Sequence, residues 1–213
     1  TIGKNNKFFP FSSIGMIPQD KKFAGENSQL LIGNDNIFRE HVTINPGTRN
    51  GGMKTLIQNK CLFMVGSHVA HDCQISSNVI LVNNATLGGH VNIEEGAIIG
   101  GNSGVHQFVN IGQFAMIGGM SGVGSNIIPY ALYIGIRSNL RGLNLIGLKR
   151  QKISSTQINK INNIFKKIFS SNYTILENIE NLKKEERNID QIKEIINFIT
   201  SNYKRGICKY IDD

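Results

Sequence analysis

Tryptophan is absent from these 213 residues, cysteine occurs three times, proline four times, and only 18% of residues are charged. Each scarcity excludes something. Three thiols cannot supply the bridged framework on which small secreted domains depend. Cys61 and Cys73 fall on a recurrent small position described below, so both read as packing residues of a reducing compartment, and Cys208 reads as structural too. No apolar run approaches the roughly 20 residues of a membrane-spanning helix, and no charged-then-apolar leader is visible before Thr1, so a cytoplasmic location is expected. Thr1, Ile2 and Gly3 open without Met and already in the style of the repeat, which leads us to expect native chain upstream.

What is plentiful is glycine, with 23 residues, and lysine. Glycine suits stacked coils with tight corners. The net charge of +8 is uneven: residues 1–138 carry nine Lys and Arg against seven Asp and Glu, and residues 139–213 carry fourteen against eight. The tail is the basic part. Its Lys residues are interleaved with Asn and Ile rather than with aromatics or Arg clusters, so nucleic acid is not an expected partner.

The chain is organised by a period of six. From Ile57 to Val123 every sixth residue is aliphatic or Phe: Ile57, Phe63, Val69, Ile75, Leu81, Leu87, Ile93, Ile99, Val105, Ile111, Ile117 and Val123. Four residues after each comes a second position, small in every case but Ile127, which includes Cys61, Ser67, Cys73, Ala85, Ala97 and Ser121. Neither a helix nor a half-buried strand generates this pattern, whereas a hexapeptide β-helix does. Ile2, Phe8 and Ile14 begin the period, and Ile32, Phe38 and Ile44 resume it. Between them lie two breaks, near residues 15–31 and 45–56, that read as loops thrown out from coil corners. Three hexads make one triangular coil, so positions about eighteen apart should stack.

After Val123 the texture changes, in a segment that carries Pro129, and residues 139–213 form an expected helical domain following the β-helix of residues 1–138. Ile158, Ile161, Phe165 and Ile168 share a helical face behind a capping box of Ser154 and Gln157, and Thr174 with Glu177 repeats the box. A last amphipathic run through Ile192, Ile195, Ile196, Ile199 and Tyr203 stops near Gly206. These helices can cap the solenoid's open end, where strand edges would otherwise be exposed.

Four of the five His residues crowd the regular coils. His68, His71, His90 and His106 fall within five positions of one another when reduced by the eighteen-residue coil, which predicts a His-lined edge. Imidazole takes a proton near neutral pH and hydrogen-bonds hydroxyl or phosphate groups. Asp72 follows His71 and can hold its tautomer, while Gly88 and Gly89 before His90 offer backbone N–H groups of the kind an oxyanion needs.

The hexads together with "QDKKFAGE", "FREHVTINPGT", "HVAHDC", "NNATLGGHV", "GVHQF" and "GLNLIGLKR" closely resemble the UDP-N-acetylglucosamine O-acyltransferases of lipid A biosynthesis. The resemblance covers nearly the whole chain. It implies a left-handed parallel β-helix with a helical C-terminal domain, a homotrimer with sites between subunits, and transfer of an R-3-hydroxyacyl group from acyl carrier protein to the glucosamine 3-hydroxyl without metal or organic cofactor. On the matching positions, His71 is the general base, Asp72 its acidic support and Gly89 the oxyanion donor. His68, His90, His106 and Gln107 match residues binding the nucleotide sugar or acyl chain. Asp20 and Lys22 match substrate contacts, and Asn144 and Arg150 match positions meeting the uridine diphosphate. Gly119 falls where the family sets acyl-chain length, and it also reads as a plain corner glycine. Asn45 stands where His is common, Arg137 where a small polar residue or His is common, and Gln151 where a second basic residue is common. Because acyl carrier protein is acidic, the basic tail is an expected docking surface.

Three other readings compete. Another hexapeptide acyltransferase, moving an N-acyl or acetyl group, should lack "QDKKFAGE" and "GLNLIGLKR" or carry an added N-terminal domain. A zinc-dependent β-helix carbonic anhydrase would hold its metal on His68, His71 or His90. A binding solenoid without catalysis would be indifferent to loss of His71.

Overall fold

The structure, a computed structural model, describes residues 1–136 and 138–210. The hexads become rungs. Each inward aliphatic closes a two-residue strand, as in Ile80–Leu81, Thr86–Leu87 and Asn92–Ile93, and the following residues turn a corner. Strands eighteen residues apart pair in parallel: Leu62–Phe63 with Ile80–Leu81, the latter with Ile98–Ile99, and that with Met116–Ile117. Among the described residues three sheets of eight, six and five strands result, the three faces of a prism. The chain touches the third face first, at Ile2, which bridges to Ile32, and the first strands of the three faces are Lys7–Phe8, Ser13–Ile14 and Gln29–Ile32.

The two breaks are visible in the register. Lys7 pairs with Ile37, thirty residues on, and Ile37 with Leu62, twenty-five on, before the offset settles at eighteen. The surplus is two projecting loops, after Ile14 and after Ile44, each ending in a four-residue strand of the third face, Gln29–Ile32 and Lys54–Ile57.

The prism is filled by the residues that set the period. From Ile57 to Ile127, the inward aliphatics and the small residues four positions later are all at most 3% exposed. Burying each large one contributes about 1.5–3 kcal/mol. Small residues fit beside them because the interior narrows toward each corner. Phe8, Phe38 and Phe63 stack rung over rung on the first face, with ring centroids 4.8 and 4.9 Å apart. Ile2 and Phe8 keep the period yet are largely exposed, since a coil covers them on one side only.

Beyond Val123 the first face continues through Ala131–Tyr133 and ends with the antiparallel strand Leu140–Leu143. Five helices follow among the described residues: α1 (Leu145–Arg150), α2 (Ser155–Ile168), α3 (Ile175–Glu180), α4 (Lys184–Arg187) and α5 (Asp190–Asn202). The Thr174–Glu177 box is formed in both directions. The Ser154 box is only half formed: Ser154 accepts from the Gln157 N–H, but the Gln157 side chain lies instead 3.5 Å from Gln191. Ile158, Ile161, Phe165 and Ile168 of α2 are buried, as are Ile192, Ile195, Phe198 and Ile199 of α5.

The chain then returns to the solenoid. Asn126 bridges to Ile207 and Leu140 to Tyr210, both in parallel. Asn126 is fully buried at this junction; its side-chain oxygen accepts from the Asn110 N–H at 2.8 Å and its amide donates to the Asn202 carbonyl at 3.1 Å. Tyr130 donates to Glu194 of α5 and accepts from Gln113 at 3.0 Å. No helix among the described residues is long and apolar enough to cross a membrane.

Candidate active site

The chemistry-bearing residues sit at the corner between the second and third faces. There the eighteen-residue stacking makes two adjacent columns, His71, Gly89 and Gln107 in one and Asp72, His90 and Phe108 in the next. The second column is left-handed throughout, with φ of +60°, +62° and +65°. Such a backbone costs a non-glycine residue about 1–2 kcal/mol, and the fold accepts it at corner after corner, as at Asn78, Asn84 and Asn102. The nineteen-residue step from His71 to His90 therefore moves one column sideways. His71 lies over Gly89, and its ring meets His90 edge-on at 5.0 Å, while His90 stacks flat on Phe108 at 4.3 Å.

Asp72 is the anchor. Its side chain is fully buried; one oxygen accepts from the Thr48 N–H at 2.9 Å, and the other accepts from the Thr48 hydroxyl at 2.6 Å and from His71 Nδ1 at 2.8 Å. His71 thus carries its proton on Nδ1, leaving the Nε2 lone pair free to act as a base. Thr48 belongs to the second loop, and Gly51 of that loop lies so close that a Cβ would stand 1.9 Å from the Asp72 carboxyl carbon. The first loop braces the second, since Glu26 accepts from the Arg49 N–H at 2.9 Å. That bond holds the Glu26 carboxyl below its ordinary range.

Gly89 has room for nothing more. A Cβ there would sit 2.6 Å from Cε1 and 2.7 Å from Nε2 of His71. Its N–H finds no acceptor among the described residues. Below it a groove of about 510 Å³ runs along the outward column of the second face, floored by Thr86, Gly104 and Gly122, flanked by His106 and closed by Ile136. His68, one rung above Thr86, bonds through Nδ1 to the Thr43 hydroxyl at 2.7 Å. Burial, aided by the nearby His71, lowers the His68 pKa below its ordinary value. Burial lowers His90 as well, against the raising pull of Asp72 and Asp20 and with the further lowering effect of His71.

Other expected residues lie at varying remove. Asp20 is near enough for His90 to feel its charge, while Lys22 is exposed and donates its backbone N–H to Asp20 at 3.0 Å. Asn144 caps α1, accepting from the Gly147 N–H at 2.9 Å, and Arg150 closes that helix. Both line a separate cavity of about 250 Å³ against Ile98 and Met116 of the first face, so a single chain does not bring them to His71. Gln151 lines the same cavity. Gly119 is exposed at the corner between the first and second faces, outside the groove lining, where a Cβ would meet the Gly101 carbonyl oxygen at 3.3 Å. Asn45 is buried and donates to the Met16 and Ile17 carbonyls at 3.1 and 3.2 Å, tying the first loop down. Arg137 lies outside the described residues.

Several participants escaped the sequence. Phe108 was within reach, because adding eighteen to His90 gives it. Thr48 and Gly51 sit in an irregular loop whose only signal is its density of small and turn residues. Arg205, whose guanidinium donates to the Gln107 carbonyl at 2.5 Å, is ninety-eight residues away in sequence and left no signal. His71, Asp72 and His90 present possible ligand atoms within 4.8 Å of one another, without His68.

Comparison with known proteins agrees in both sequence and shape. The family model described as "Udp N-acetylglucosamine O-acyltransferase; Domain 2" matches residues 126–208. The acyl-[acyl-carrier-protein]–UDP-N-acetylglucosamine O-acyltransferase of Thermodesulfovibrio yellowstonii is 47% identical over 208 residues, spanning 98% of this chain and 80% of that one. The enzyme of the same name from Paracoccus denitrificans is 46% identical, over 90% of this chain and 72% of its own. The solved structure of LpxA from Acinetobacter baumannii superposes with a TM-score of 0.93 at 36% identity, covering 98% of this chain and 81% of that one. The expected fold, a left-handed parallel β-helix with a helical C-terminal part, is the one observed.

Proposed function

The chain belongs to the UDP-N-acetylglucosamine O-acyltransferase family, and from that membership we propose that it transfers an R-3-hydroxyacyl group from acyl carrier protein to the 3-hydroxyl of UDP-N-acetylglucosamine, opening lipid A biosynthesis. The observation that carries the mechanism is the stacking of His71 over Gly89 with Asp72 fixed behind it. His71 Nε2 takes the proton of the sugar hydroxyl as that oxygen attacks the thioester carbonyl. The carbonyl oxygen gains negative charge, and the Gly89 N–H, with no side chain in the way, donates to it. Asp72 stabilises the imidazolium that forms. Collapse of the tetrahedral intermediate breaks the carbon–sulfur bond, and the departing thiolate takes the proton back from His71 Nε2. No step calls for a metal or an organic cofactor.

His68, His90, His106, Gln107, Asp20 and Lys22 are assigned to substrate binding around this corner, Asn144 and Arg150 to the uridine diphosphate, and Gly119 to acyl-chain length. Separation of the Arg150 cavity from His71 within one chain supports a homotrimer in which one subunit supplies the base and its neighbour the nucleotide contacts. A cytoplasmic enzyme would meet both substrates there. Incubation of the purified protein with UDP-N-acetylglucosamine and a panel of hydroxyacyl carrier proteins should yield esterified sugar nucleotide by mass, and no product with any donor would end this reading. The grouping of His71, Asp72 and His90 leaves zinc chemistry as the second reading. Dialysis against a chelator should leave transfer unchanged; loss of activity restored by zinc would favour the metal.

A further inference from the structure

We infer that Arg205 is a positioning residue of this site, holding His106 as the tautomer whose proton is on Nε2. Arginine offers donors only and stays charged. Arg205 Nη2 donates to the Gln107 carbonyl at 2.5 Å and stands 3.3 Å from His106 Nδ1. A proton on His106 Nδ1 would face that donor directly. The Gln107 carbonyl, 3.1 Å from the same nitrogen, accepts from the guanidinium at closer range, so a proton on Nδ1 would have to share that oxygen with a charged donor while facing it. The arrangement that avoids one donor facing another leaves a lone pair on Nδ1, accepting from Arg205, and the ring proton on Nε2. His106 lines both the glycine-floored groove and the cavity of about 340 Å³ that contains Arg205. Its Nε2–H is thereby available to donate to a substrate oxygen.

Arg205 is itself held in place by backbone. Gly206 turns with φ of +90°, its carbonyl accepts from the Asn126 N–H at 3.3 Å, and the Cys208 N–H donates to the Asn126 carbonyl at 2.8 Å. The guanidinium also lies 5.9 Å from the centroid of Phe108, the ring on which His90 stacks. The helical part of the chain thus reaches the His edge of its own subunit through one side chain.

The kinetic half of this inference rests on the acyltransferase reading; the tautomer does not. Nitrogen-15 correlation spectra of the intact protein, with the His106 signals identified by their loss in His106→Gln, should show Nε2 protonated in the wild type. Arg205→Met should shift that population toward Nδ1–H and lower turnover about 10- to 100-fold, the worth of one hydrogen bond to a charged group. Arg205→Lys keeps a donor for the Gln107 carbonyl without the fork, so the chain folds while the tautomer still shifts. A wild-type His106 protonated on Nδ1, or a tautomer unmoved in both variants, overturns the inference. Absence of acyl transfer by wild type with the expected tautomer present would instead discard the function.

Discussion

Asp72 can orient His71 only because Thr48 fixes both of its oxygens, so the reactivity of one imidazole depends on a loop twenty-three residues upstream. His71→Ala should lower turnover about 10³-fold, within the usual range for loss of a general base, with the melting midpoint unchanged. Gly89→Ala should be comparably damaging, because its methyl would displace the His71 ring; steady-state rates and melting curves on both variants check this. His68 and His90 make a different prediction. Their lowered pKa values mean that the unfolded chain binds protons more readily than the folded one below the ordinary value of 6.5. Their contribution to stability is present in full above that value and is lost as pH falls toward the folded values. Melting midpoints followed from about pH 8 to about pH 5 should drop, and less steeply in the His68→Asn, His90→Asn double variant.

At the scale of elements, the rungs were legible because each coil presents the same environment, so one rule held at twelve successive positions. The helices were legible from Ile158, Ile161 and Phe165, and from the Thr174 cap. What lay beyond reading was how irregular segments close on regular ones. Thr48 meets Asp72, and Arg205 meets Gln107, through loop geometry that no period encodes. The roles proposed for Asn144 and Arg150 come only from likeness to a motif, since nothing in their spacing links them to a His edge. Asn126 is a third junction of this kind. Asn126→Ala removes the acceptor of the half-buried Asn110 N–H and a donor to the half-buried Asn202 carbonyl, which should cost about 1–3 kcal/mol in all. Urea unfolding of the variant should register a lower midpoint with the helical signal retained at low denaturant.

At the scale of the whole molecule, the proposed base lies at a prism corner and the proposed nucleotide contacts on α1, so the proposed reading would make assembly a condition of activity. His71→Ala and Arg150→Ala variants should each be inactive alone. Dissociated and reassembled together, they should regain transfer, because some mixed interfaces pair an intact His71 with an intact Arg150. No recovery would mean that each chain completes its own site. The junction at Asn126 also carries a message about time. Every rung from Leu62 to Val123 has a partner eighteen residues away, so the solenoid can be laid down as the chain emerges from synthesis, coil upon coil. The bridge at Asn126 finds Ile207 eighty-one residues later. Long loops close slowly and late. Until five helices have formed and returned, the growing end of the prism stays open, and a nascent chain arrested before Ile207 would hold its His edge formed but unlocked.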